Sequence, residues 1–166
     1  HYDKIHYVSQ QQQEWQAVRH PYFICPNVLN DLKESKGDVS RVAGIVGTIL
    51  PNKQVHVSIE RAMEDNMKKI LIYGNIGHKQ YFEKKIRPYL DQYPDRIELL
   101  GFCNDKQAMY DSISDVYHSS ISETWGYVKG ECELTKTRFH GNSSTNGYRF
   151  MSREEILKVW VRELRL

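Results

Sequence analysis

Several things are scarce in this sequence, and each scarcity removes a class of function. Only three cysteines occur, Cys25, Cys103 and Cys132, widely spaced and odd in number. Zinc sites need close Cys/His pairs and disulfide frameworks need an even set, so reduced, buried thiols of a cytoplasmic protein are expected. No run of about 18 apolar residues is present, the length a helix needs to cross a bilayer. Charge of one sign is lacking too: 23 Lys and Arg balance 21 Asp and Glu, for a net +2. No basic cluster interleaves with aromatics, so nucleic acid is not an expected partner. No G-x-G-x-x-G follows the first main strand, which disfavours a dinucleotide site. No Ser-His-Asp order points to hydrolysis, and no metal-ligand spacing points to metal chemistry.

What is present is a chain of 166 residues, 40% hydrophobic and 27% charged, enough for one globular domain. It opens at His1 on a stretch that already reads as a strand, which suggests a piece of a longer protein or a processed one. After a polar helix over "QQQQEWQAV" and a turn at Pro26, residues 33–40 (KESKGDVS) lack apolar anchors and read as a mobile loop or linker. From Arg41 the pattern alternates. "RVAGIVGT", "KKILIYG", "RIELLGF" and "SDVYHSS" read as buried strands, with "TRFHGN" as a possible fifth. Helices intervene. One places Val55, Ile59, Ala62 and Met63 on a single face. Another carries Phe82, Ile86 and Leu90, with Pro88 expected to bend its last turns. A third is capped by Asn104 or Asp105. Ser152 and Glu155 form a capping-box pattern before a last helix with Ile156, Val159, Trp160 and Leu164 on one face. Alternating strands and helices predict an α/β fold: a Rossmann-like parallel sheet with helices on both faces, and ligands at the carboxyl ends of the strands.

The most informative segment is residues 122–131, S-E-T-W-G-Y-V-K-G-E. A strand, a tight loop and a helix opening near Gly126 put unpaired N–H groups at a positive dipole end, where an anion is stabilised. Glu123 precedes that point and Glu131 lies two turns into the helix. The spacing is not specific by itself, since Glu155 and Glu163 are also eight apart.

In its context the segment resembles the E-x7-E motif of retaining glycosyltransferases of the GT-B fold, family 4. The similarity covers roughly residues 41–136. "ILIYGN", "IELLGF" and "YDSISDVYHSSISETWG" resemble successive strands and loops of that family's C-terminal, donor-binding domain. "SQQQQEW" and "CPNVL" resemble the end of the N-terminal domain and its linker, and "NGYRF" (residues 146–150) a late Asn-Gly turn. The resemblance divides the chain into residues 1–32, the end of an N-terminal domain and linker, the loop at 33–40, and a nucleotide-sugar-binding domain over 41–166.

The resemblance also implies roles. A nucleotide diphosphate sugar would be the donor substrate, with no metal or cofactor. Glu131 would accept hydrogen bonds from the two ribose hydroxyls, and Glu123 would hold the donor sugar or the charge developing at its anomeric carbon. Lys53 would pair with the diphosphate, and Gly126 and Tyr127 would offer N–H groups to it. Gly47 would let backbone approach the ligand, and Thr48 stands where the family carries an Arg. Phe102 and Cys103 would border the base, although Phe102 as plain core is an open alternative. Trp125 reads equally as a core anchor or a ligand wall. His78, His118 and His140 receive no catalytic role. Glu123 and Lys53 are the candidate catalytic residues of a hexosyltransferase-type enzyme, inactive as this piece alone. The acceptor would come from a missing N-terminal domain, through which alone any membrane contact would occur. The alternative is a degenerate, non-catalytic nucleotide-sugar-binding or scaffolding domain.

Overall fold

The computed structural model describes residues 4–16, 18–29, 31–37, 39–123, 125–142 and 151–164. Its centre is a five-stranded, wholly parallel sheet. The strands are β3 (Val42–Val46), β4 (Lys69–Tyr73), β5 (Ile97–Gly101), β6 (Asp115–Tyr117) and β7 (Arg138–His140), in spatial order β5-β4-β3-β6-β7. From β3 the chain runs outward through β4 to β5, then returns to lay β6 on the other side. The order therefore reverses between β3 and β6, and a crevice opens there beyond the strand ends.

Period-two alternation sorts the strand side chains between two cores. Ala43, Ile45, Ile70, Ile72 and Ile97 face one cluster, which α2 (Val55–Glu64) closes with Val55, Ile59 and Ala62. Val116, Tyr73 and, half-buried, Val42, Val46 and Leu71 face the other. That side is covered by α5 (Lys106–Asp111) through Met109 and Tyr110, and by α6 (Tyr127–Thr135) through Cys132. Each fully buried Ile stabilises the fold by about 1.5–3 kcal/mol relative to an exposed one.

The helix expected to bend at Pro88 is interrupted just before the proline. A short turn α3 (Lys79–Tyr81) runs into a π-helical stretch, Phe82–Ile86, and then α4 (Arg87–Gln92). Proline has no N–H for the carbonyl four residues back and its ring crowds that carbonyl. The turn widens instead, with the Arg87 N–H reaching the Phe82 carbonyl five residues back. Phe82 and Ile86 stay buried in the core.

A smaller unit flanks the sheet. Strands β1 (Ile5–Tyr7) and β2 (Tyr22–Ile24) pair in parallel, with α1 (Gln10–Gln16) between them in sequence. The last helix, α7 (Arg153–Leu164), packs Ile156, Val159 and Trp160 on Phe23 and Cys25. Its capping box forms as expected: Ser152 N–H donates to Glu155 at 2.8 Å and Glu155 N–H to Ser152 Oγ at 3.2 Å. Leu164, expected on the buried face, is exposed in the last turn. Residues 33–40 were expected to be mobile. Those described are tied down: Lys33 N–H donates to Gln107, Ser35 N–H to the Thr135 carbonyl and Lys36 N–H to Asp111. All three cysteines are free; Cys25 and Cys132 are buried and Cys103 is half-exposed, against the expectation of burial. No helix among the described residues is long and apolar enough to cross a membrane.

Candidate functional site

The site lies at the carboxyl ends of β3 and β6. Gly47 follows β3 with φ +137°, a backbone shape that side chains resist, and a Cβ there would point into open space. The turn leans on Gly74, after β4, where a Cβ would sit 2.0 Å from the Gly47 carbonyl oxygen. The sequence pattern gave the first glycine a role at the site and the second none, although "ILIYGN" reads as a strand ending in a glycine loop. After Thr48 the chain enters a 3-10 turn, Pro51–Lys53, which presents Lys53.

The loop after β6 is fixed onto that turn. Ser119 N–H donates to Ser58 Oγ at 3.1 Å, and Ile121 N–H to the Asn52 carbonyl at 2.9 Å. These bonds carry Glu123 to Lys53, whose Nζ lies 2.6 Å from Glu123 Oε1. His118 Nε2 donates to the same oxygen at 2.8 Å. Burial alone would raise the Glu123 carboxyl; hydrogen bonds from His118 and Lys53 outweigh it and hold it at about 2. Glu123 is therefore a fixed negative charge at neutral pH. His118, given no role from sequence, is its neighbour. The available signal was its position at the carboxyl end of a buried strand.

Trp125 and Gly126 are buried, and Gly126 is the N-cap of α6 without any side-chain cap. The Tyr127 N–H, expected to meet the diphosphate, donates instead to the Trp125 carbonyl at 3.0 Å, so what the start of α6 presents to the cavities is the positive end of its dipole. Glu131, expected two turns into the helix, lies one turn in because α6 begins at Tyr127, and it is only 1% exposed. Its Oε2 accepts from the Tyr110 hydroxyl at 2.9 Å, and its Oε1 is ion-paired with Lys106. Burial, with the neighbouring Cys132 and Glu131, pushes the Tyr110 hydroxyl far above its ordinary value, so it stays a donor. Neither Lys106 nor Tyr110 was singled out in the sequence. Their spacing of four on α5 puts them on one face, but only the sheet's closure shows which carboxylate that face meets.

Two cavities adjoin here and share Gly47, Thr48 and Tyr127 in their walls. The larger, about 290 Å³, is lined also by Phe102, Cys103, Lys106 and Glu131. The smaller, about 200 Å³, is lined by Lys53, His118, Glu123, Trp125, Gly126 and Lys129. Together they fall within the range of small-molecule pockets. Each carboxylate of the motif therefore faces one compartment, and the start of α6 lies between them. Phe102 is 67% exposed, so the plain-core alternative for it does not hold. Trp125 meets both of its open readings, being buried and a cavity wall. Residues 146–150, the Asn-Gly turn of the sequence reading, lie outside the described residues. Among the described residues no group of three or more His, Cys, Asp or Glu side chains is placed to hold a metal ion.

A parallel sheet of this order, clothed on both faces and with its crevice at the reversal, has the fold of the Rossmann-like half of GT-B glycosyltransferases. Solved structures of similar shape bear this out. The chain superposes on the pneumococcal O-GlcNAc transferase GtfA, solved with UDP and GlcNAc, with a TM-score of 0.66 and 18% identity over 98% of this chain and 37% of that one. For TarM the TM-score is 0.65 and the identity 19%, over 99% of this chain and 36% of that one. For Anabaena HepE in complex with UDP-glucose they are 0.72 and 16%, over 98% and 55%. The chain thus spans a little over a third of the length of GtfA and TarM. No protein-family model matches the sequence, and no curated protein matches it either.

Proposed function

We propose that this chain is the donor-binding domain of a retaining glycosyltransferase, which binds a nucleotide diphosphate sugar. The observation that carries the reading is the placement of Glu123 and Glu131 in adjoining cavities on either side of the α6 N-terminus. In this reading the nucleoside occupies the larger cavity, with its base against Phe102 and Cys103 and its ribose diol on Glu131. The diphosphate crosses the Gly47–Thr48 turn to the positive N-terminal end of α6. The sugar enters the smaller cavity beside Glu123 and Lys53.

Transfer then follows from positioning and charge. The acceptor hydroxyl oxygen forms a bond to the anomeric carbon as the bond to the diphosphate oxygen breaks, on the retained face of the sugar, and the hydroxyl proton passes to the departing diphosphate oxygen on that face. The leaving diphosphate takes the bonding electrons and is stabilised by Lys53 and the helix N-terminus. Glu123 steadies the positive charge that develops on the sugar ring. The acceptor would be held by a second, N-terminal domain of a longer protein, in keeping with the greater length of GtfA, TarM and HepE. No metal or cofactor is required in this scheme.

One observation favours a second reading, a binding domain without transferase activity. Thr48 stands at the turn where the family resembled carries an Arg, so Lys53 bears the diphosphate's charge with less help, and it is already paired with Glu123. Calorimetric titration with UDP, GDP and ADP tests both. Saturable binding of one diphosphate, lost in Glu131→Ala, is expected. Equal binding by the variant would refute the placement of the ribose. Turnover by the full-length protein, abolished by Glu123→Gln, would separate the enzyme from the binding domain.

A further inference from the structure

Glu131 lines the larger cavity, yet its side chain is only 1% exposed. An incoming ribose cannot hydrogen-bond a carboxylate buried this deeply unless one of the groups covering it moves. Lys106 and Tyr110 both hold its oxygens. Tyr110 is fully buried in the core between α5 and the sheet, with no room to leave. Lys106 is 39% exposed, lies in the first turn of α5, and has a long, flexible stem with solvent beside it.

We propose that Lys106 is a specificity-determining residue of the nucleoside cavity: its ammonium caps Glu131 in the empty pocket and is displaced by a ribose 2′,3′-diol. The inference rests on the donor-site reading above. The physical reason for the cap is that a buried carboxylate with no cation or donors is strongly unfavourable. Lys106 donates to Oε1 and brings the positive charge, while Tyr110 keeps its own bond on Oε2. A diol brings two O–H donors to the same carboxylate and can replace the ammonium. A 2′-deoxy ligand brings one donor, a poorer exchange for the lost ion pair, so Lys106 stays. The cost of moving Lys106 is subtracted from the affinity of every ligand that displaces it.

The test compares the original chain with Lys106→Met by calorimetry, using UDP, GDP and ADP and their 2′-deoxy counterparts. For the diphosphate that binds the original chain, removing the competitor should tighten binding roughly fivefold or more. The preference for the ribo over the deoxy ligand should widen as well. Lys106→Gln, whose amide can still donate to Glu131 without a charge, should fall between the two, and it replaces the Met variant should that fail to fold. Equal or weaker binding by the variants, while the original chain binds, overturns the cap and leaves the donor-site reading standing. No binding of any diphosphate to the original chain or the variants overturns both.

Discussion

Glu123→Gln isolates the charge at the centre of the smaller cavity and needs no ligand. In the folded chain hydrogen bonds from His118 and Lys53 outweigh the effect of burial and hold this carboxyl at about 2, against an ordinary value of 4.5. At roughly 1.4 kcal/mol per pKa unit, the ionised carboxylate stabilises the fold by about 3 kcal/mol. The side chain is only 10% exposed, so little of that is lost to solvent screening. The sign follows from proton uptake. As pH falls below 4.5 the unfolded chain takes up the proton first. The contribution is therefore complete above about pH 5 and drains away as pH approaches 2. Glutamine keeps the shape and an acceptor oxygen but has no such dependence. Urea unfolding at pH 6.5 and pH 3.5, followed by circular dichroism, should show the original chain's advantage over the variant shrinking by about 1–2 kcal/mol at the lower pH. A gap of the same size at both values would show that Lys53 and His118 do not hold the charge, and the account of this site would fail.

Two further outcomes follow from the same contacts. Gly74→Ala should destabilise the chain by more than about 2 kcal/mol and weaken any ligand binding, because its Cβ would lie 2.0 Å from the Gly47 oxygen at φ +155°; chemical denaturation checks this, and a neutral change would refute the close approach of the two turns. Asp115→Asn should cost about 2 kcal/mol near neutral pH. Burial alone would raise that carboxyl, but hydrogen bonds from Arg138, Ser114 and His140 bring it from 3.8 to about 2; the difference from the original chain should fade between those two pH values in urea melts.

The sheet was legible because its strands are buried on both faces. β-branched runs such as "RVAGIVGT" and "KKILIYG" have one reading at that length, and the intervening apolar stripes at helical spacing have another. The Ser152–Glu155 cap could be read for the same reason, since both partners lie three residues apart. Leu164 could not, because burial at a helix end depends on how far the neighbouring strands extend. Nor could the π-helical turn before Pro88: a proline announces that a bond is lost, but not which carbonyl will yield. Residues 33–37 lack apolar anchors, yet polar bonds to α5 and α6 hold them, and such bonds leave no periodic mark in a sequence.

The sequence by itself determined the order of strands and helices, the turn glycine at 47, and the placing of two acids around a helix start. These depend on neighbours within a few residues, where propensity and spacing act directly. Only the tertiary structure decided what those groups touch. Lys53 and Glu123 are seventy residues apart and meet at 2.6 Å because β3 and β6 lie side by side. Lys106 and Tyr110 reach Glu131 because α5 and α6 cover the same face of the sheet. Hydrogen bonds and ion pairs act only over a few ångströms, so their partners are set by the packing of the elements, and one sequence read along its length does not contain that distance.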